Sequence, residues 1–260
     1  MEEKFSPEPH YIAYLDMLGY ESEIKRRGIP EIARLMKKHI DSAKSIVSKY
    51  INEDDEGDII KMKVFSDNMF FCTRKNWKVL IALAAVLQNS MIQDGIFTRG
   101  ALCYEQLYFN DDFLCGDGII LAHKIESEIA VFPRVILHST YIDAINNEKI
   151  PPSVNDEFEF MGILSDCIVD NDDCLALNYL PIACQLNGDA DKNKDMILKH
   201  KEVIVQNLQI TMKHEKVHRK YLWSKNYHNE FLNTAPPSSK AEFSDAIIHE
   251  SDWRATNGQQ

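Results

Sequence analysis

The alternation of apolar and polar stretches divides the chain into short elements. Tyr11-Ile12-Ala13-Tyr14-Leu15 is an unbroken apolar run of strand length, the pattern of a strand buried on both faces. Beyond Pro30, apolar residues at Ile32, Leu35, Met36, Ile40, Ala43, Val47 and Tyr50 recur three or four apart. That spacing predicts a helix opened by the proline. After an acidic turn at 52–58, the runs 59–64 and 69–72 flank Phe65-Ser66-Asp67-Asn68 and predict a hairpin. Trp77, Leu80, Ile81, Ala84, Leu87 and Met91 mark a second helix, stopped by Gly95. Residues 96–107 read as a strand that ends at Asn110-Asp111-Asp112. A third helix is predicted over 116–128 and a further strand over 131–137.

The order β-α-β-β-α-β predicts an α+β fold with a ferredoxin-like, split-βαβ core. Residues 1–150 are assigned to that core and 151–233 to edge strands and a helical C-terminal extension. The weak alternation over 158–169 supplies the edge strands, and 196–227 reads as one long charged helix. Residues 234–260, with Pro236-Pro237-Ser238-Ser239, are expected to form a flexible tail.

Composition narrows the partners. With 260 residues, 45% of them hydrophobic, the chain can bury one good-sized core. A formal charge of −11 argues against a nucleic-acid duplex as partner, since neutralising phosphates needs a basic face. A small anion complexed with metal remains compatible, because the cation reverses the local field. The six cysteines contain no C-x-x-C pair and read as reduced thiols. The start shows no secretory signal. The longest apolar stretch, 79–87, is far below the ~20 residues of a membrane span. A cytoplasmic protein is expected.

Candidate chemistry centres on Asp16, at the end of the first strand, and Asp67, at the hairpin tip. Two such carboxylates can converge on divalent cations, which suits phosphoryl chemistry. Each also has a plainer reading, Asp16 as a helix cap and Asp67 as a turn residue. The spread of His200, His214, His218 and His228 along charged sequence lacks metal-ligand spacing. Trp223 and Tyr227, four apart, read as packing anchors, and His123 as a surface residue. No Walker loop, nucleophile elbow or kinase loop is present.

Taken in order, several segments resemble a known family. Tyr14-Leu15-Asp16-Met17-Leu18-Gly19-Tyr20 resembles the first metal motif of class III nucleotidyl cyclases, and residues 61–67 resemble the second. Phe97-Thr98-Arg99-Gly100-Ala101 and the stretch 116–126 resemble the fourth strand and the helix after it. Phe132-Pro133-Arg134-Val135 and Lys220-Tyr221-Leu222-Trp223, followed by Tyr227-His228-Asn229, look most like the pyrimidine cyclases of Pycsar antiphage systems.

That resemblance implies conversion of UTP, favoured over CTP, to a cyclic monophosphate and pyrophosphate, the product activating a separate effector. It implies two divalent cations, Mn²⁺ or Mg²⁺, on Asp16, Met17 and Asp67. The amides of Leu18, Gly19 and Tyr20 would meet the phosphates. It also implies a homodimer with sites shared between chains. Two positions depart from the general pattern: Ile120 stands where an Asn orients the ribose, and Lys124 where an Arg stabilises the transition state. Lys124 keeps the charge without the bidentate fork. Arg99 or Arg134 is the alternative, with Arg99 ranked first and, like Lys124, expected to act from the partner chain. Lys61 and Phe113 fall near the base-reading positions. Tyr50 either points at the base or ends the first helix's core face. The competing expectations are a catalytically degenerate nucleotide-binding dimer and a plain interaction protein.

Overall fold

The computed structural model describes residues 6–47, 60–110, 112–147, 168–171, 173–235 and 243–254. Strand β1 (Glu8–Met17) leads into α1 (Tyr20–Arg27) and α2 (Ile29–Val47). A hairpin follows, β2 (Lys61–Phe65) and β3 (Asn68–Thr73), then α3 (Trp77–Gln93) and the long β4 (Thr98–Phe109). After β5 (Leu114–Cys115) come α4 (Asp117–Glu128), β6 (Val135–Leu137), α5 (Ser139–Asn147), β7 (Ile168–Asn171) and β8 (Cys174–Leu177). Helices α6 (Tyr179–Asn187), α7 (Ala190–Thr211) and α8 (Glu215–Thr234) complete the α+β fold. None of the described helices is long and apolar enough to cross a membrane.

One mixed sheet runs β2-β3-β1-β4-β6-β8-β7, with β5 paired to β4. The first four strands are antiparallel to their neighbours, and β6 joins β4 in parallel. The apolar run in β1 is explained by burial on both faces. Tyr11, Ala13, Leu15 and Met17 point into the larger core, shared with α2, α3 and α6–α8. Ile12 and Tyr14 point the other way, into a smaller core under α4 with Phe70, Ala101, Cys103 and Ala122. By the two-residue period of a strand, Asp16 belongs to this second face.

Central strands are held unusually close at Gly100. A Cβ there would lie 3.0 Å from the Tyr14 carbonyl carbon and 3.1 Å from Leu15 Cα, and inside the Tyr14 carbonyl oxygen. Only hydrogen at that position lets β1 and β4 approach as they do. On the other side of the sheet, Asp94 ties three helices together. Its carboxylate lies 2.8 Å from Lys38 and 2.7 Å from His39, and its carbonyl accepts from Arg27 at 2.6 Å.

The C-terminal part departs from expectation in three ways. The stretch 196–227 is two helices, since the chain turns at Met212–His214 with the His214 amide donating to the Thr211 carbonyl at 2.8 Å. Met212, which the apolar spacing would bury, is half exposed. Helices α5 and α6 lack the long apolar period that announces a helix, and both form. The expected flexible tail holds a packed segment, because α8 continues to Thr234 and Ala246, Ile248 and Trp253 are buried. Lys201 Nζ donates to the carbonyls of Asp245 and Ile247 at 3.0 and 2.7 Å.

A buried chain of hydrogen bonds fastens that segment. Tyr179 hydroxyl and His200 Nε2 are 2.8 Å apart, His200 Nδ1 and His228 Nδ1 2.9 Å, and His228 Nε2 and the Ala246 carbonyl 2.9 Å. A carbonyl only accepts, so His228 Nε2 carries hydrogen and its Nδ1 receives one from His200. The Tyr179 hydroxyl then donates to His200 Nε2. Burial lowers both imidazoles from their ordinary range, His228 to about 4, so both rings are neutral.

Candidate functional site

The end of β1, the tip of the β2–β3 hairpin and the start of β4 meet on the α4 side of the sheet. Register places Asp16 opposite Asn68 on β3 and opposite Arg99 on β4. The hairpin tip is tied down by Met17 N–H donating to the Asp67 carbonyl at 3.0 Å. Ser66, the first of the two residues in the turn, has φ of 56°, a left-handed conformation uncommon for a residue with a side chain. Asp67 follows it directly. Asn68 links Asp67 to Tyr14, since its Nδ2 donates to Asp67 Oδ1 at 3.1 Å and its Oδ1 accepts from the Tyr14 hydroxyl at 2.5 Å.

Arg99 and Glu126 complete the cluster. Arg99 Nε donates to Asp16 Oδ2 at 3.1 Å. Its Nη2 forms an ion pair with Glu126 Oε1, reaching down from α4. Glu126 is almost wholly buried, 3% exposed, in a helix whose other inward residues are Gly118, Ala122 and Ile125. Burial raises the Asp16 carboxyl above its ordinary range; Arg99 pulls it back and Asp67 adds to the rise. Glu126 is pushed up to about 7, mainly by burial and then by Asp16 and Asp67, against the pull of Arg99. Tyr14 rises to about 12 through burial and the same three carboxylates.

Arg99 pairs with two of the acids, Asp16 and Glu126, while Asp67 adds negative charge that raises both, and a cation would relieve that excess. Carboxylate oxygens are the donors that Mg²⁺ or Mn²⁺ takes, and the residues fit such an ion in charge and donor type. Among the described residues no group of three or more His, Cys, Asp or Glu side chains is arranged to hold a metal by itself. A bound cation would draw further oxygens from its ligand or from water.

The other sequence candidates separate into those at the site and those away from it. Leu18 is at the site, but its amide donates to the Phe97 carbonyl at 2.8 Å and is not available to phosphate. Gly19 and Tyr20 open α1, where first-turn amides have no helical partner. Lys61 begins the edge strand β2, four residues and roughly 13 Å of strand from Phe65 at the tip. Its ammonium sits over the Phe109 ring, 5.4 Å from the centroid. Tyr50 lies outside the described residues. Arg134 is buried with its guanidinium over Phe132, while its carbonyl accepts from Gly100 N–H at 3.0 Å.

Arg99 and Lys124 take different places in the structure. Arg99 is bound to Asp16 of its own chain and belongs to this cluster. Lys124 is exposed on α4, two residues from the inward Glu126 and therefore about 200° around the helix from it. It faces away from its own Asp16. Ile120 lies beside it, one turn earlier, 67% exposed. His123 is on the surface, its ring 6.3 Å from that of Tyr14.

Two residues at the site were given no role in the sequence reading. Glu126 was visible as an acidic residue in phase with Gly118, Ala122 and Ile125, a charge on an apolar helix face. Lys220 on α8 is half-buried near the cluster; the resemblance quoted it within Lys220-Tyr221-Leu222-Trp223 but gave it no role. Compared with protein-family models and with curated proteins, the sequence matches none.

Proposed function

We propose that the chain is a nucleoside-triphosphate cyclase that makes a pyrimidine cyclic monophosphate and pyrophosphate, with UTP favoured over CTP. The observation that carries this is the convergence of Asp16 and Asp67, distant in sequence, at one end of the central strands beside Arg99. The strand order β2-β3-β1-β4 supports a ferredoxin-like core, since a split βαβ pair gives that antiparallel arrangement.

Asp16, Asp67 and the backbone at Met17 would hold two divalent cations. Bound there, Mn²⁺ or Mg²⁺ would make the ribose 3′-hydroxyl more acidic and neutralise the triphosphate as pyrophosphate leaves. Arg99 orients the Asp16 carboxylate, and Glu126 fixes Arg99 from behind. Asn68 steers Asp67, with Tyr14 locking the Asn68 amide. The first turn of α1 offers the Gly19 and Tyr20 amides to an anion.

Transition-state charge needs a cation on the far side of the substrate. Lys124 meets that need only from a second chain, which supports a two-fold homodimer with sites between protomers. The exposed apolar residues Ile120, Phe113 and Val131 on the α4 side suit such an interface. By its resemblance to Pycsar cyclases the product would be a second messenger in antiphage defence, acting through a separate effector.

One observation favours a second reading. Arg99 already occupies Asp16, and a carboxylate so engaged suits a degenerate cyclase that binds nucleotide without turning it over. Incubation with each of the four ribonucleoside triphosphates and Mn²⁺ separates the two. Cyclic UMP or cyclic CMP with stoichiometric pyrophosphate is the expected result. Tight binding without product supports the degenerate reading, and neither binding nor product removes both.

A further inference from the structure

We propose that Lys220, on helix α8 beyond the cyclase-like core, is a substrate-binding residue of the same site and takes the terminal phosphates of a bound nucleoside triphosphate. The proposal rests on the triphosphate reading above and adds a group that the core motifs do not contain.

Helix α8 is pinned against the start of β4 by aromatic contacts. The Tyr221 ring meets Phe97 edge-on at 4.9 Å between centroids, and Trp223 stacks on Phe132 at 6.2 Å. Both partners belong to the site's frame. The Phe97 carbonyl receives Leu18 N–H, and Arg134, two residues after Phe132, holds Gly100 N–H. Position 220, one residue before Tyr221, is thereby held near the start of β4, where Arg99, Asp16 and Glu126 are among the charges that act on its ammonium.

The ammonium there lacks what a half-buried lysine ordinarily has. Among the described residues Lys220 makes no ion pair; Arg99 takes both Asp16 and Glu126. Burial lowers the Lys220 pKa, and Arg99 and Lys216 lower it further, while Asp16 and Glu126 pull it back. Lys216 lies one helical turn earlier, on the same face. A partly desolvated cation beside other cations is stabilised by an anion. With cations on Asp16 and Asp67, the triphosphate tail is the anion whose charge that end of the site would match.

Isothermal titration with magnesium tripolyphosphate, then with magnesium UTP and CTP, tests this on the full chain. Wild type should bind all three. Lys220→Met and Lys220→Gln should each weaken tripolyphosphate and triphosphate binding about tenfold or more, the loss of one charge-assisted hydrogen bond. Lys220→Arg should stay within about threefold. Uridine binding should not change, and melting temperatures should match wild type. A readout without substitution accompanies these: tripolyphosphate should protect Lys220 of the wild-type chain from amine acylation, read by mass spectrometry. If wild type binds triphosphate, Lys220→Gln binds it equally and Lys220 is not protected, the assignment of Lys220 fails and the cyclase reading stands. If wild type binds neither tripolyphosphate nor any triphosphate, the cyclase reading fails and takes this one with it.

Discussion

Alanine at position 100 tests how tightly β1 and β4 close behind the site. The added methyl would sit 3.0 Å from the Tyr14 carbonyl carbon and 3.1 Å from Leu15 Cα, against main chain that cannot rotate aside. Carbon pairs settle at about 3.5–4.0 Å, so the strands must part by roughly 1 Å. Overpacking of that kind costs about 1–3 kcal/mol. The shift also strains the hydrogen bond from Gly100 to the Arg134 carbonyl, worth about 1 kcal/mol. A total near 3 kcal/mol corresponds to a fall of about 6–12 °C in Tm for a chain of this size. Gly19→Ala is the matched control. Gly19 has φ of 74° and nothing within 4 Å of a new Cβ, so it costs only the left-handed backbone, about 1–2 kcal/mol. Urea unfolding with equal m-values, checked by calorimetry, measures both. Equal losses in the two variants, or a Gly100→Ala change under about 0.5 kcal/mol, would refute the close-approach argument.

Three further outcomes are expected. Asp67→Ala should abolish cyclase turnover while moving Tm by less than about 2 °C, because a half-exposed hairpin-tip side chain contributes little packing; full activity in that variant would remove Asp67 from the metal site. A one-to-one mixture of Asp16→Ala and Lys124→Ala chains should recover about a quarter of wild-type activity, since half the dimers are mixed and each has one intact site of two; no recovery would end the shared-site assignment. Acid should loosen the C-terminal segment: His228 titrates at about 4 folded and near 6.5 unfolded, so the unfolded chain binds more protons and stability is lost as pH falls between those values. That loss is worth about 3 kcal/mol from His228 alone, and a His228→Gln chain should show a shallower decline in urea midpoint from pH 6.5 to 4; parallel curves would contradict the neutral-ring assignment.

How far the sequence could be read depended on the kind of signal. The first four strands and the helices α2 and α3 announced themselves through uninterrupted apolar runs and the three-to-four spacing, and the two aspartates through their place at element ends, whereas α1, which buries no residue, carries no such spacing. The break at Met212–His214 carries neither glycine nor proline, so periodicity runs through it. Residues 243–254 look polar and tail-like, yet Ala246, Ile248 and Trp253 dock into a groove that only the folded α7 and α8 provide. Partnership was harder still. Arg99 and Asp16 are 83 residues apart, and only strand register sets them face to face. Helical phase separated Glu126 from Lys124, and that distinction required knowing which side of α4 meets the sheet.

The polarity of the Tyr179–His200–His228–Ala246 chain imposes a chemical requirement at position 200. Whatever stands there must accept from a phenol on one side and donate to an imidazole on the other, while staying uncharged. A neutral histidine does both through one rigid ring. An aliphatic or phenylalanine replacement of similar bulk fills the volume but leaves the Tyr179 hydroxyl without an acceptor and His228 without a donor, each an orphaned group sealed from water. Substitution at residue 200 is therefore restricted by the direction of hydrogen bonding more than by size, and a tolerant apolar core position elsewhere in α7 is not a guide to it.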